Sequence, residues 1–213
     1  MFVTGHTTRP DFGRVVVVAS LGGLEAITTA LAGLPADYSV PVAVVLHRRR
    51  TSDEHDSLAV ILAQRMHLPV HIARHGSAAN QFGITVVPPQ TSATIDESGR
   101  WALCESTTLM QPGDALLCSS AAMTPTVAII LTGSLNDGTE GCRAVKRGGG
   151  RVLVQDPATA RASSMPANAI ATGCADFVLP AERIAPAVLA LTTAPGAADL
   201  LMVPLPPWAR LSS

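Results

Sequence analysis

Three apolar runs in this chain each end beside a residue that could take part in acyl transfer. The run 15–19 stops at Ser20, the run 42–46 stops at His47, and the run 127–131 leads into Thr132-Gly133-Ser134-Leu135-Asn136-Asp137-Gly138. A serine hydroxyl becomes a nucleophile when a base takes its proton. An imidazole with an ordinary pKa near ~6.5 suits that base around neutrality. A carboxylate on the far ring nitrogen holds the productive tautomer. If the runs are parallel strands, all three residues sit at carboxyl ends, the edge where open α/β sheets bind ligands. Taken singly, each has a plainer use: Ser20 as a helix cap, His47 as a strand-end side chain, Asp137 as a turn residue before Gly138. Their arrival at one edge favours a Ser-His-Asp hydrolase. Gly22 and Gly23 after Ser20 strip side chains where a substrate must approach, and the N–H groups opening the next helix could face an oxyanion. The local string Val18-Ala19-Ser20-Leu21-Gly22 is not the G-x-S-x-G elbow of the α/β-hydrolases.

The elements that must carry these residues follow from periodicity. Strands are expected over 14–19, 40–46, 70–73, 127–131, 151–155 and 176–179. Helices are expected over 23–33, from Ser52 or Asp53 as cap to 66, and over 114–123, 138–147, 163–171 and 181–191. Gly148-Gly149-Gly150 follows a helix and precedes a strand, the reverse of a phosphate loop, and reads as a helix stop. Between 76 and 111 the pattern breaks into short pieces (84–87, 93–96, 101–105) parted by Pro88-Pro89 and Glu97-Ser98-Gly99, which predicts an inserted antiparallel hairpin region. Strands alternating with helices give an α/β fold, a doubly wound and mostly parallel sheet of about seven strands with helices on both faces. The expected division is a tail over 1–13, one catalytic domain over 14–193 and a Pro-rich tail over 194–213.

Composition narrows the classes. At 47% apolar and 15% charged residues, the 213-residue chain can bury a core, and 3% aromatics make that core aliphatic. A net charge of −1 argues against a nucleic-acid surface. No apolar stretch is long enough for a signal peptide or a membrane span, so a cytoplasmic protein without membrane insertion is expected. The four cysteines form no C-x-x-C pair and read as reduced thiols. His67, His71 and His75 stand four apart, but Pro69 breaks any helix that would stack them, so no metal site is expected. Arg48-Arg49-Arg50 reads as a solvated run that could also attract an acidic protein substrate.

The strings Ala19-Ser20-Leu21-Gly22-Gly23-Leu24-Glu25-Ala26, Leu46-His47, Ile130-Leu131-Thr132-Gly133-Ser134-Leu135-Asn136-Asp137-Gly138, Gln155-Asp156-Pro157-Ala158-Thr159-Ala160 and Ser164-Met165-Pro166 carry a resemblance. Over about 14–191 the chain resembles the catalytic domain of the CheB-type chemotaxis protein-glutamate methylesterases. The resemblance implies Ser20 as nucleophile, His47 as general base and Asp137 as orienting acid. It implies Leu21, Gly22, Gly23, Ser134 and Leu135 as the oxyanion and substrate surroundings, and no cofactor. It implies hydrolysis of glutamyl methyl esters, with deamidation of glutamines as a second acyl transfer, on a methylated chemoreceptor-type protein. Thirteen residues precede the first strand, too few for the family's receiver domain, so a stand-alone domain with a separate receiver-domain regulator is expected. Two departures stand beside the site: Leu21 where the family has Thr, and Leu135 where it has Gly. They keep open a catalytically impaired adaptor in a signalling array. A Rossmann-type nucleotide binder ranks last, because no G-x-G-x-x-G follows the first strand.

Overall fold

A computed structural model describes residues 12–49, 56–105 and 111–194. Most of the two expected tails, Ser52 and Asp53, and Arg50 lie outside the described residues.

The order of elements is β1 (Arg14–Ala19), α1 (Gly23–Leu31), β2 (Val42–Leu46), α2 (Ser57–Arg65), β3 (Val70–Ile72), β4 (Ile84–Val86), β5 (Thr91–Ile95), β6 (Trp101–Glu105), α3 (Pro112–Met123), β7 (Thr126–Ile130), α4 (Thr139–Arg147), β8 (Arg151–Gln155), α5 (Ser164–Ala171), β9 (Phe177–Leu179), a 3₁₀ turn (Ala181–Arg183) and α6 (Ile184–Thr193). Seven strands form one sheet in the order β3-β4-β2-β1-β7-β8-β9, every pair parallel, while β5 and β6 form a separate antiparallel pair.

The continuous β-branched run of β1 is what a strand covered on both faces needs, and all six of its residues are buried. Val15, Val17 and Ala19 face a core with Ile27 and Leu31 of α1, Leu62 of α2 and Ile184 and Val188 of α6. Val16 and Val18 face a second core with Leu116 and Leu117 of α3, Val145 of α4 and Met165 of α5. From β1 the chain winds outward to β2, β4 and β3 on one side, and from β7 to β8 and β9 on the other. The winding therefore reverses between β1 and β7, and the crevice at their carboxyl ends is where such sheets bind ligands.

Three expectations change. The piece at 84–87 is not hairpin but β4, a parallel strand of the main sheet. Its Ile84 N–H donates to Pro69 O, and it slots between β2 and β3. The helix expected from Ser52 or Asp53 begins instead at Ser57, capped by Asp56, whose Oδ1 accepts from the N–H groups of Leu58 and Ala59. Arg48 is not part of a solvated run: it pairs with Asp56 and donates to the carbonyls of Leu46 and Val87, fixing α2 beside β2.

Candidate active site

Register sets the distances at the edge. Ala19 pairs with Leu46, and the His47 N–H donates to Ala19 O at 2.9 Å, so Ser20 and His47 leave adjacent strands side by side. Neighbouring strands lie about 4.8 Å apart. On the other flank, Ser20 N–H donates to Thr132 O at 2.9 Å, tying the serine to the end of β7. Gly133 then passes directly against it. A Cβ built at Gly133 would stand 2.8 Å from Ser20 Cβ and 2.1 Å from Met165 Sδ, so only glycine fits.

Asp137 swings from the β7–α4 loop to meet His47, with Oδ2 2.6 Å from Nε2. The carboxylate is 2% exposed and seated on the N-terminus of α3. Oδ2 also accepts from Gly113 N–H at 2.8 Å, and Oδ1 accepts from Asp114 N–H at 2.8 Å. A helix N-terminus stabilises an anion through its unpaired N–H groups and the macrodipole. Gly113 makes the approach possible, since a Cβ there would meet Val18 Cγ1 at 2.4 Å and Asp137 Oδ2 at 2.7 Å. Among the described residues, neither His47 Nδ1 nor Ser20 Oγ makes a hydrogen bond.

The β1–α1 turn is tight. Gly23 N–H donates to Ser20 O at 2.8 Å, and Gly22 sits in the left-handed region at φ 80°. Gly23 therefore spends its N–H inside the turn. It serves close packing, with its face against Ala19 and Leu46. Among the described residues, the N–H groups of Leu21, Gly22, Ser134 and Leu135 have no acceptor at this edge. Leu135 adopts φ 74°, a conformation that costs a non-glycine residue about 1–2 kcal/mol. Its carbonyl is held by Asn168 Nδ2 at 2.7 Å. The loop thus keeps a glycine-like path with a leucine in place. Leu135 is 67% and Leu21 55% exposed, an apolar rim on the two loops that flank Ser20.

Thr132 binds the loops together. Its N–H donates to Gln155 Oε1, its hydroxyl lies 3.0 Å from Leu21 O and 3.2 Å from Ala162 O, and it accepts from Ala162 N–H at 2.8 Å. Thr132→Val keeps the shape and removes the hydroxyl, leaving Ala162 N–H without its acceptor. The expected loss is about 1–3 kcal/mol, read as an earlier denaturant midpoint with unchanged slope.

Beside the same edge, a cavity of about 220 Å³ opens between α1 and the β8–α5 loop, lined by Gly22, Thr132, Gln155, Arg161 and Glu182 among others. Of the three histidines spaced four apart, His71 engages Phe82 O and Gln81, and His75 accepts from Leu103 N–H. No helix among the described residues is long and apolar enough to cross a membrane. Sequence reading missed Gly113 and Asp114 as parts of this site. Pro112 at the start of a helix, followed by a glycine and an acid, was the local signal for a helix N-terminus open to a carboxylate.

The comparisons bear on the family and the fold. The family described as CheB methylesterase matches residues 15–188. A protein-glutamate methylesterase/protein-glutamine glutaminase of Anaeromyxobacter dehalogenans is 36% identical over 84% of this chain and 53% of its own length. Its counterpart of the group 3 operon of Rhizobium meliloti is 31% identical over 87% of this chain and 53% of its own length. The chain thus spans about half the length of these curated relatives. The crystal structure of the Thermotoga maritima CheB methylesterase catalytic domain superposes with a TM-score of 0.73 at 28% identity, over 88% of this chain and 98% of that one. With the family match covering residues 15–188 and the fold in agreement, the chain belongs to the CheB methylesterase family.

Proposed function

We propose that this protein hydrolyses glutamyl methyl esters, and deamidates glutamines, on a methylated chemoreceptor-type protein in the cytoplasm, under a separate receiver-domain regulator. Ser20 Oγ attacks the side-chain carbonyl carbon while His47 Nδ1 takes the hydroxyl proton. Asp137 holds Nε2–H and stabilises the imidazolium that forms. The tetrahedral oxyanion is met by unengaged N–H groups among Leu21, Gly22, Ser134 and Leu135. Collapse expels methanol (ammonia from a glutamine), which leaves with the proton from His47. Water, activated by the same base, then cleaves the acyl-enzyme to free glutamate and Ser20.

The observation that carries this reading is the row itself: Ser20 beside His47 across one ladder, and His47 bound to an Asp137 locked on α3. The adaptor alternative drew on Leu21 and Leu135; at Leu135 the backbone is left-handed, so that loop needs no rebuilding to offer its N–H groups. Methanol release from methylated receptor tests the proposal. Ser20→Ala should lower the rate by at least about 10³-fold. Equal rates for the two proteins overturn it. A fluorophosphonate probe should label Ser20 in the unmutated protein and fail to label His47→Ala.

A further inference from the structure

Asp114 is the third residue of α3, and it touches Asp137 in two ways. Its backbone N–H donates to Asp137 Oδ1 at 2.8 Å. Its side chain turns the other way, to the start of α4, where Oδ1 accepts from Gly141 N–H at 2.6 Å and the carboxylate also accepts from Gly138 N–H. Gly138 is the residue next to Asp137 in the chain. One residue therefore grips the carboxylate of Asp137 and the backbone that leads out of it. Each acid caps a helix for the other: Asp137 caps α3, and Asp114 caps α4.

The second oxygen, Asp114 Oδ2, is buried and has no partner among the described residues. No cation faces it. From the β7–α4 loop comes Asp137, from α4 come Glu140 and the thiol of Cys142, and from its own helix the thiol of Cys118. The cations of α4 are spent on other acids, Arg143 and Arg147 on Glu140 and Lys146 on Asp176. Neither β5 nor β7 brings a titratable side chain against α3, and β1 brings Arg14, which bonds Ser120 two turns further along the helix. Burial foremost, then the charges of Asp137 and Glu140, pushes the Asp114 carboxyl up to about 6, against the pull of the Gly141 and Gly138 N–H bonds. A structural cap at the surface would ionise well below neutrality; this one changes charge close to where an imidazole base works.

We infer that Asp114 is a positioning residue of this site, clasping Asp137 from two sides and setting through its charge how firmly His47 holds a proton. The catalytic half of the inference rests on the proposed esterase activity; the electrostatic half does not.

The sign follows from the charges. Above its midpoint Asp114 is an anion behind Asp137, and the extra negative charge favours the imidazolium. As pH falls, Asp114 takes up a proton, its N–H bonds weaken because they are no longer charge-assisted, and its help to the imidazolium is lost. A proton on one group therefore opposes a proton on the other, and the acid limb of kcat/KM is expected to be shallower than a one-proton limb.

Asp114→Asn keeps an oxygen for Gly141 N–H and removes the charge. Two measurements are made on it and on the unmutated protein: the His47 imidazole titration by NMR, and the pH profile of kcat/KM with a methylated receptor peptide. Removing the charge should lower the His47 midpoint, move the acid limb down with it, and sharpen it to the slope of one proton. The variant's deficit should then shrink as pH falls. An unchanged His47 midpoint with an unchanged limb overturns the inference. If neither protein releases methanol and the His47 midpoint still moves, the esterase reading fails while the coupling stands. If Asp114→Asn does not fold, the unmutated protein decides. A second inflection in the His47 curve at the pH where the Asp114 carboxyl carbon titrates supports the clasp, and a single inflection overturns it.

Discussion

Asp137→Asn should lower kcat for ester hydrolysis by about 10⁴-fold without unfolding the protein. The size follows from counting donors. Three hydrogens point at this carboxylate, from His47 Nε2 and from the backbone of Gly113 and Asp114, and it has none to offer in return. An asparagine has one oxygen for three donors. With that oxygen on Asp114, its NH₂ group must face Gly113 N–H and His47. The imidazole can relieve the conflict only by presenting a lone pair at Nε2, which places its proton on Nδ1, toward Ser20. A ring protonated there cannot take the serine hydroxyl proton. The check is kcat together with the far-UV circular dichroism: a large kinetic loss with a native spectrum supports the tautomer argument, and a loss of a few fold removes Asp137 from the orienting role. Asp137→Ala gives a contrast. It leaves the α3 N–H groups without their acceptor as well, so its stability should fall further than that of Asp137→Asn.

The three residues come from three strand ends, but the fold spends different devices on each. Ser20 is held by backbone alone, through Thr132 O on one side and the Gly23 turn on the other. His47 is held by the ladder below and by Asp137 above. Asp137 is held by a helix terminus. The most precisely fixed member is the one furthest from the reacting bond. This suits the proposed roles, in which Asp137 fixes a tautomer while Ser20 turns between base and carbonyl.

Much of this was legible beforehand because the signals are local. A continuous β-branched run such as Val15–Val18 can hardly be anything but a buried parallel strand, and a polar residue at its end falls on the ligand edge by topology alone. Ser20, His47 and Asp137 were expected at that edge in this way, and it is where they lie. The strand at 84–86 was misassigned for a physical reason. Four residues between Gly83 and Pro88-Pro89 carry no sign of direction, which is decided by β2 and β3, elements that lie on either side of the strand in space. Asp56 was passed over as a cap because Ser52 and Asp53 offer the same chemistry a turn earlier, and its pairing with Arg48 leaves no trace in the spacing. Gly113 and Asp114 were invisible as site residues because what they bind, Asp137, comes 23 to 24 residues later and arrives only through the sheet crossover. The departure at Leu135 was visible as a residue type, yet its consequence depended on φ, which no residue type reveals.

Gly133→Ala is the second variant with a large expected effect, because the methyl group has nowhere to go. It would stand 2.1 Å from Met165 Sδ and 2.8 Å from Ser20 Cβ. The thioether is the far end of a flexible side chain and can turn aside. Ser20 Cβ is not: its backbone N–H is fixed to Thr132 O and its carbonyl to Gly23 N–H. The strain therefore falls on the nucleophile's own position or on the Gly133–Met165 contact, where Met165 N–H donates to Gly133 O at 3.0 Å and anchors α5. Overpacking of this kind costs about 1–3 kcal/mol. Misplacing a nucleophile by about 1 Å costs on the order of 10²-fold in rate, so both stability and kcat should drop. Gly149→Ala is the matched control. It too departs from glycine, at φ 77°, but a Cβ there meets nothing within 4 Å. It should lose about 1 kcal/mol to backbone strain and leave kcat unchanged. If the two variants lose activity equally, the crowding at Ser20 is not what makes Gly133 necessary. If only Gly133→Ala loses it, the space beside the serine hydroxyl is itself part of the catalytic apparatus.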